Sequence, residues 1–341
     1  MRKIISAFAL ALFFLTSPLH GGQPEFTIKV TYVPGHMDPE ESPDIMCGYV
    51  FKRECEARSN GRIQVDIYGS SQLGTMGEVL QGTMAGYIET TITDNTMYNQ
   101  HLPMSQVLSV PGIFSTMDEV DEVLNGTEWG KEYVVQIREK LGVRILNHYC
   151  KGFRHFTTTN TPLQKVEDAR GISFRVMESP VSIRMVEAIG AKAMPLPSSE
   201  VYMALRNGVV DGQENPISSF IQDKNYEVQK FMVLDGHIAG IASFIMNEEY
   251  YQSLPDDLKR VVDEAAALSS REATRVARRL DVDGVGFLRE KGLTVYQPTP
   301  EELEDWHRVV SGPTQEYVRS VLTGGELDAL LQAIQQVRES K

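Results

Sequence analysis

Cysteine is scarce, with three in 341 residues. Cys47 and Cys55 stand eight positions apart in a segment with helical periodicity, about 12 Å along the axis, too far to bridge each other there. Cys150 is remote from both, so at least one thiol is unpaired, and no spacing suits a metal. Positive charge is also short. Lys and Arg number 33 against 46 Asp and Glu, a formal net charge of -13, which argues against nucleic acid or an anionic membrane as the main partner. Any anion the protein binds must therefore meet a local positive pocket. There is no repeat or low-complexity tract. The chain also lacks a Gly-x-Ser-x-Gly elbow, a phosphate-cradling glycine loop ending in Lys-Ser or Lys-Thr, and a His-Glu-x-x-His zinc helix. The seven histidines are scattered, and no nucleophile and base announce themselves.

Long hydrophobic runs are missing too. The apolar stretch from Ile4 to Leu15 is too short to span a bilayer comfortably. It follows Arg2 and Lys3 and precedes small and polar residues up to Gly22, the layout of a secretory signal peptide over residues 1–23. An uncleaved anchor is the alternative. No cysteine follows the run to carry a lipid, and an exported, periplasmic chain is expected.

At 42% hydrophobic residues the chain can bury one large core or two ordinary ones, so two lobes are expected. Strand and helix patterns alternate. Phe26 to Tyr32 reads as a strand, about Ser42 to Ser59 as a helix with Ile45, Met46, Val50 and Phe51 on one face, and Arg62 to Tyr68 as a strand. A helix near Gly77 to Ala85, a strand near Tyr87 to Thr93, helices between Met117 and Leu141 and a strand at Arg144 to Tyr149 continue the series. A helix from about Val181 to Ile189 precedes one capped by Ser198 or Ser199 that ends at Asn207-Gly208. From Leu254-Pro255 a helical pattern runs through Asp283 or further, long enough to tie two lobes together. The rhythm is that of an α/β fold with covered sheets.

One strand raises a question of chemistry. In Gly171-Ile-Ser-Phe-Arg-Val-Met-Glu-Ser179, residues Ile172, Phe174 and Val176 alternate as a half-buried strand, which puts Ser173, Arg175 and Met177 on the opposite face. An arginine so placed pairs with a nearby acidic side chain or waits for an anion.

Together with the exported start, Ser71-Gln72-Leu73-Gly74, the loop Val210-Asp-Gly-Gln-Glu-Asn-Pro216 and Tyr226-Glu-Val-Gln-Lys230, this strand resembles the dicarboxylate-binding (DctP) type of substrate-binding protein of tripartite ATP-independent periplasmic (TRAP) transporters. The resemblance covers nearly the whole mature chain and is specific only in combination. It implies a two-lobe periplasmic binding protein fold with a ligand cleft between the lobes and a long helix spanning both. It also implies that Arg175 makes a bidentate salt bridge to a solute carboxylate, which suits the planar guanidinium fork better than a lysine. Asn215 would hold the carboxylate or a neighbouring group, although Asn before Pro is also a common turn residue. Arg154 matches a second basic position, one residue out of the usual spacing.

On the first lobe the resemblance points to His36, in a Pro-Gly-His turn where a solvated histidine is an equal reading, and to Asp94 and Asn95. Gln72 either lines the cleft or orients a loop. Glu178 stands where some relatives are neutral, and Ser198 where an aromatic can stand. Facing Glu178 and Asp94, a second ligand carboxylate would meet repulsion, whereas hydroxyls suit acidic acceptors. The expected solute is therefore a hydroxylated monocarboxylate such as a uronic or aldonic acid, with C4-dicarboxylates, keto acids and amino acids as alternatives. A sensor-coupled binding protein shares such a cleft, and a periplasmic enzyme is a further alternative. No cofactor or metal is implied. The expected partners are membrane permease subunits, and a monomer is expected. Lobe I would comprise residues 24–150 plus about 239–282, lobe II 151–238 plus about 283–300, and residues 301–341 a C-terminal helical segment.

Overall fold

The structure, a computed structural model, describes residues 23–33 and 38–340. The expected leader, apart from Gln23, and His36 lie outside the described residues. No helix among the described residues is long and apolar enough to cross a membrane.

The chain begins with β1 (Phe26–Thr31), α1 (Pro43–Arg58), β2 (Ile63–Tyr68), α2 (Met76–Met84), β3 (Thr90–Asp94), α3 (Met117–Gly126), α4 (Glu128–Leu141) and β4 (Val143–Thr158). It continues through β5 (Ser173–Val176), α5 (Pro180–Ala188), β6 (Lys192–Pro195), α6 (Val201–Arg206), β7 (Gly212–Pro216), α7 (Ile217–Gln222), β8 (Phe231–Val233) and β9 (Ile238–Asn247). It closes with α8 (Glu248–Ser253), α9 (Asp256–Glu290), β10 (Thr294–Tyr296), α10 (Pro300–Val321) and α11 (Glu326–Glu339).

Most boundaries follow local chemistry. Helix α1 starts where expected because the Ser42 hydroxyl accepts from the Ile45 amide at 3.3 Å and Pro43 occupies the first turn, where its missing N–H costs nothing. The expected serine cap at 198 or 199 is not formed. Behind Pro197 the chain makes a 3₁₀ turn over Ser198–Glu200, and α6 begins only at Val201, with no side-chain cap. The "DGQENP" segment, expected as a loop, is instead strand β7, buried between β4 and β5. Its residues are polar, so it lacks the apolar alternation of a strand. Its proline comes last, where a lost N–H interrupts the ladder least.

The strands join in the order β2-β1-β3-β9-β4-β7-β5-β6, with β8 pairing both β4 and β10. β4 is far longer than expected, pairing with β9 over its first part and with β7 from Arg154 onward, so it carries the chain from one lobe into the other. β9 is buried along its whole length. Phe244 faces a core with Phe51, Val65 and Val262, whereas its neighbour Ile245 faces another with Tyr98, Ile137 and Leu330. The second lobe packs Phe174, Val176 and Met185 against Phe156 and the fully buried Trp306 of α10. At 35 residues, α9 is about 52 Å long. It lies on α1, crosses β4 and reaches α7, where a Cβ added at Gly284 would come within 2.4 Å of Ile217. It thus spans both lobes.

Candidate functional site: a charged cleft

Strand parity holds for Arg175. While Phe174 and Val176 enter the second-lobe core, Arg175 points the other way into the cavity between the lobes, which it lines together with Asp94, Lys151, Arg154 and Asn215. It is 3% exposed, and its Nε donates to the Leu196 carbonyl at 2.8 Å. Among the described residues it makes no ion pair. Burial, aided by repulsion from Arg154, lowers its pKa to about 10, the signature of a cation short of counter-charge.

The other two cations of the wall come from β4. Its register against β9 shifts between Cys150 and Phe153, a bulge in which Gly152 takes φ +104°, and the bulge aims Lys151 into the cavity. The Lys151 ammonium stands 3.6 Å from Asp44 Oδ2 and 4.0 Å from Asp94 Oδ2. Arg154 is largely spoken for. Its Nε and Nη2 fork onto the Glu214 carboxylate, Nη2 reaching Oε1 at 2.9 Å, and Nη2 also donates to the Glu214 carbonyl at 2.6 Å. Nη1 stands 4.0 Å from Asp94.

Behind that pair runs a buried chain of charge. Glu214 Oε2 lies 3.3 Å from His237 Nε2, and His237 Nδ1 lies 2.6 Å from Asp235, which also accepts from the Phe156 amide at 3.1 Å. Burial opposes the charged form of His237, yet Asp235 and Glu214 outweigh it and lift its pKa to about 9. Burial likewise disfavours ionised Glu214, but Arg154 and His237 hold its carboxyl down at about 2. The two flanking carboxylates thus favour the charged form of His237.

Asp94 ends β3, its Oδ1 accepting from the Thr96 amide at 3.0 Å while Oδ2 faces Lys151 and Arg154. Glu178 and Ser198 line the cavity, as does Asn215, whose amide nitrogen donates to Gln213 Oε1. Asn95 points elsewhere. Its Oδ1 accepts from the Tyr133 hydroxyl at 2.6 Å in the first-lobe core, because a 3₁₀ turn after Asp94 swings the next side chain away from the cleft. Gln72 is exposed in the turn closed by the Gln72 amide on the Gly69 carbonyl, and it is not part of the cavity wall.

Sequence reasoning missed Lys151, Asp44 and Asp223. A Lys-Gly pair inside a strand pattern was the available sign of a bulge. Asp44 reads as an ordinary first-turn acid of α1, but the Tyr149 hydroxyl donates to its Oδ1 at 2.7 Å and fixes it toward the cavity. Asp223 follows α7, and burial raises its carboxyl to about 6. The wall thus presents three cations and four carboxylates, and Arg175 is the cation without a carboxylate partner among the described residues.

No group of His, Cys, Asp and Glu among the described residues could hold a metal ion. Cys47, Cys55 and Cys150 are free and buried, and burial pushes the Cys47 and Cys150 thiols up to about 12.

Comparison with known proteins agrees with this architecture. Residues 35–320 match the family described as bacterial extracellular solute-binding protein, family 7 (DctP). A solute-binding protein of Verminephrobacter eiseniae is 33% identical over 246 residues, 72% of each chain. The sugar acid binding protein of Advenella mimigardefordensis, solved with galactonate, superposes with a TM-score of 0.86 at 27% identity, over 92% of this chain and 99% of that one. A TRAP periplasmic solute-binding protein of Shewanella oneidensis, solved with succinate, gives 0.84 at 26% identity, over 91% and 99%. Members of the family bind small acids for transport and are not enzymes. This chain belongs to family 7 of the bacterial extracellular solute-binding proteins, the periplasmic subunits that work with TRAP permeases.

Proposed function

We propose that this protein captures a small monocarboxylate bearing several hydroxyls, a uronic or aldonic acid, by a salt bridge to Arg175, and delivers it to membrane permease subunits. The observation that carries the reading is a buried guanidinium, without an ion pair among the described residues, facing the cavity between the lobes. With Nε occupied by Leu196, the two terminal nitrogens are left to fork onto a carboxylate. Asn215 and the remaining Arg154 nitrogen stand beside it as further donors. The cavity is also rich in acceptors, since Asp44 and Asp94, with Glu178 and Asp223, can take hydrogen bonds from hydroxyls and repel a second carboxylate. The galactonate-bound relative is of this ligand class.

The lobe boundaries given above place Arg175 on lobe II and Asp94 on lobe I, so one solute bridges both. Closure is favoured only by as much as the closed state's extra contacts supply. The C-terminal segment would strap the lobes, because α10 packs on α5 and α11 on α3 and α4. Residues 1–23 would be removed on export, and the mature protein would act as a monomer.

The test is thermal shift and calorimetry on refolded, ligand-stripped protein with galactonate, glucuronate and succinate. At a hundredfold excess over Kd a bound solute adds about 2.7 kcal/mol. For a chain this long that is a rise in Tm of about 4 °C. Sugar acids should shift the parent and not Arg175→Ala. An equal shift in the mutant, or none in the parent, refutes the proposal.

A further inference from the structure

We infer that Lys151 is a second carboxylate clamp held in reserve, and that Asp44 and Asp94 are the specificity-determining residues that deny it to a dianionic solute. The inference rests on the reading that Arg175 takes the solute's first carboxylate.

Lys151 lines the same cavity as Arg175, and its ammonium is the one the β4 bulge delivers there. The Ser218 hydroxyl pins the Lys151 carbonyl at 2.8 Å, so the bulge is held from the α7 side as well. The side chains of Lys151, Asp44 and Asp94 are 8%, 8% and 5% exposed, which removes most of the screening by water. Neither carboxylate is free to turn away. The Tyr149 hydroxyl holds Asp44, and the Thr96 amide holds Asp94.

The separations matter. At 3.6 and 4.0 Å the ammonium is attracted by both carboxylates without a short hydrogen bond to either, so its donors are not used up. A solute hydroxyl entering the trio can accept from Lys151 and donate to an aspartate at once. A carboxylate can only accept, and it would meet one positive and two negative charges. The trio therefore selects hydroxyls over a second carboxylate. Replacing both aspartates with asparagines would turn its charge from -1 to +1 while keeping side-chain volume and most acceptors. Lys151 would then face the cavity as Arg175 does.

Calorimetry with galactonate and succinate tests this on the parent, Asp94→Asn, the Asp44→Asn/Asp94→Asn pair, and that pair combined with Lys151→Met. The parent should prefer galactonate. The paired variant should bind succinate at least tenfold more tightly than the parent and galactonate more weakly, and Lys151→Met should abolish the gain. If the paired variant melts without a cooperative transition, Asp94→Asn alone should still show about a threefold gain. Succinate affinity unchanged by these substitutions, a gain that survives Lys151→Met, or a parent that binds succinate as tightly as galactonate overturns the inference. In those cases Arg175→Ala still abolishes galactonate binding, and the carboxylate clamp stands. If the parent binds neither acid, the clamp at Arg175 falls first and the inference with it.

Discussion

Glu214 holds the central charge of the buried chain, and Glu214→Gln should be among the most damaging conservative substitutions in the molecule. The carboxylate is 1% exposed, forks onto Arg154 and meets His237 at 3.3 Å. Gln keeps the shape and one acceptor but removes the charge that compensates two buried cations. Arg154 would be left with Asp94 at 4.0 Å, and His237 with Asp235 alone. Removing one partner of a buried ion pair costs about 3–5 kcal/mol. A protein of this length loses about 1.5 °C of Tm per kcal/mol, so a fall of roughly 5–7 °C is expected. Differential scanning fluorimetry on the ligand-free protein measures it.

A double-mutant cycle makes the test sharper. Arg154→Met alone leaves Glu214 its imidazolium partner and should cost less than Glu214→Gln. The pair Arg154→Met/Glu214→Gln removes both charges and should regain about 1–3 kcal/mol relative to the sum of the single substitutions. A Tm loss below about 2 °C for Glu214→Gln, or strict additivity in the cycle, would refute the claim that these charges compensate each other.

The same chain sets a pH dependence. Because the folded pKa of His237 is raised from 6.5 to about 9, its contribution is complete below about 6.5 and is lost as pH rises through about 9. Glu214 is depressed from 4.5 to about 2 and Asp235 is held far below the usual range, so their contributions are present above about pH 4.5 and lost as pH falls toward 2. Tm should plateau between about pH 4.5 and 6.5, and the alkaline decline should vanish in His237→Gln, whereas a parent curve flat to pH 9 would contradict the assignment. Asp223, raised to about 6 by burial, faces the same cavity as Arg175. Affinity for a monocarboxylate should rise several-fold from pH 7.5 to 5.5 as Asp223 takes up a proton, and calorimetry of Asp223→Asn should show this slope flattened. Trp306→Ala should cost about 3–5 kcal/mol by chemical denaturation, because the indole is fully buried against Phe156 at 5.7 Å. A loss below 1 kcal/mol would mean that α10 is not part of the second-lobe core.

Much of this was legible in the sequence where local chemistry decides. The ends of α1 follow from Ser42-Pro43, the long α9 from its uninterrupted periodicity, and the outward face of Arg175 from strand parity. What stayed hidden depends on contacts between distant segments. β7 reads as a loop because its buried polar residues are satisfied by β4, which no local pattern reveals. Only Arg144 to Tyr149 of β4 reads as a strand because a bulge at Lys151-Gly152 breaks its alternation, and the same bulge makes Lys151 a cleft residue. Asp44 looks like a helix-start acid until Tyr149, 105 positions away, is seen to hold it.

Pairing across the sheet also explains which cation is left for a ligand. Arg154 and Glu214 are 60 positions apart, and the antiparallel register of β4 and β7, which sets His155 against Asn215 and Phe156 against Glu214, brings the guanidinium within reach of the carboxylate. Asp235 and His237, between β8 and β9, continue that neutralisation away from the cleft. Arg175 sits one strand further on. Its direct neighbour on β6 is Met194, and on the β7 side the register pairs only Phe174 with Gly212. No acid is presented to it across the sheet. Sequence parity could say that Arg175 faces away from the core, but only the strand order shows that the nearest strand-borne carboxylate, Glu214, is taken by Arg154 and His237, while Glu178 and Asp223 act on Arg175 across the cavity without an ion pair among the described residues. An arginine kept unpaired in this way costs stability without a ligand, and the cost is recovered when an anion arrives.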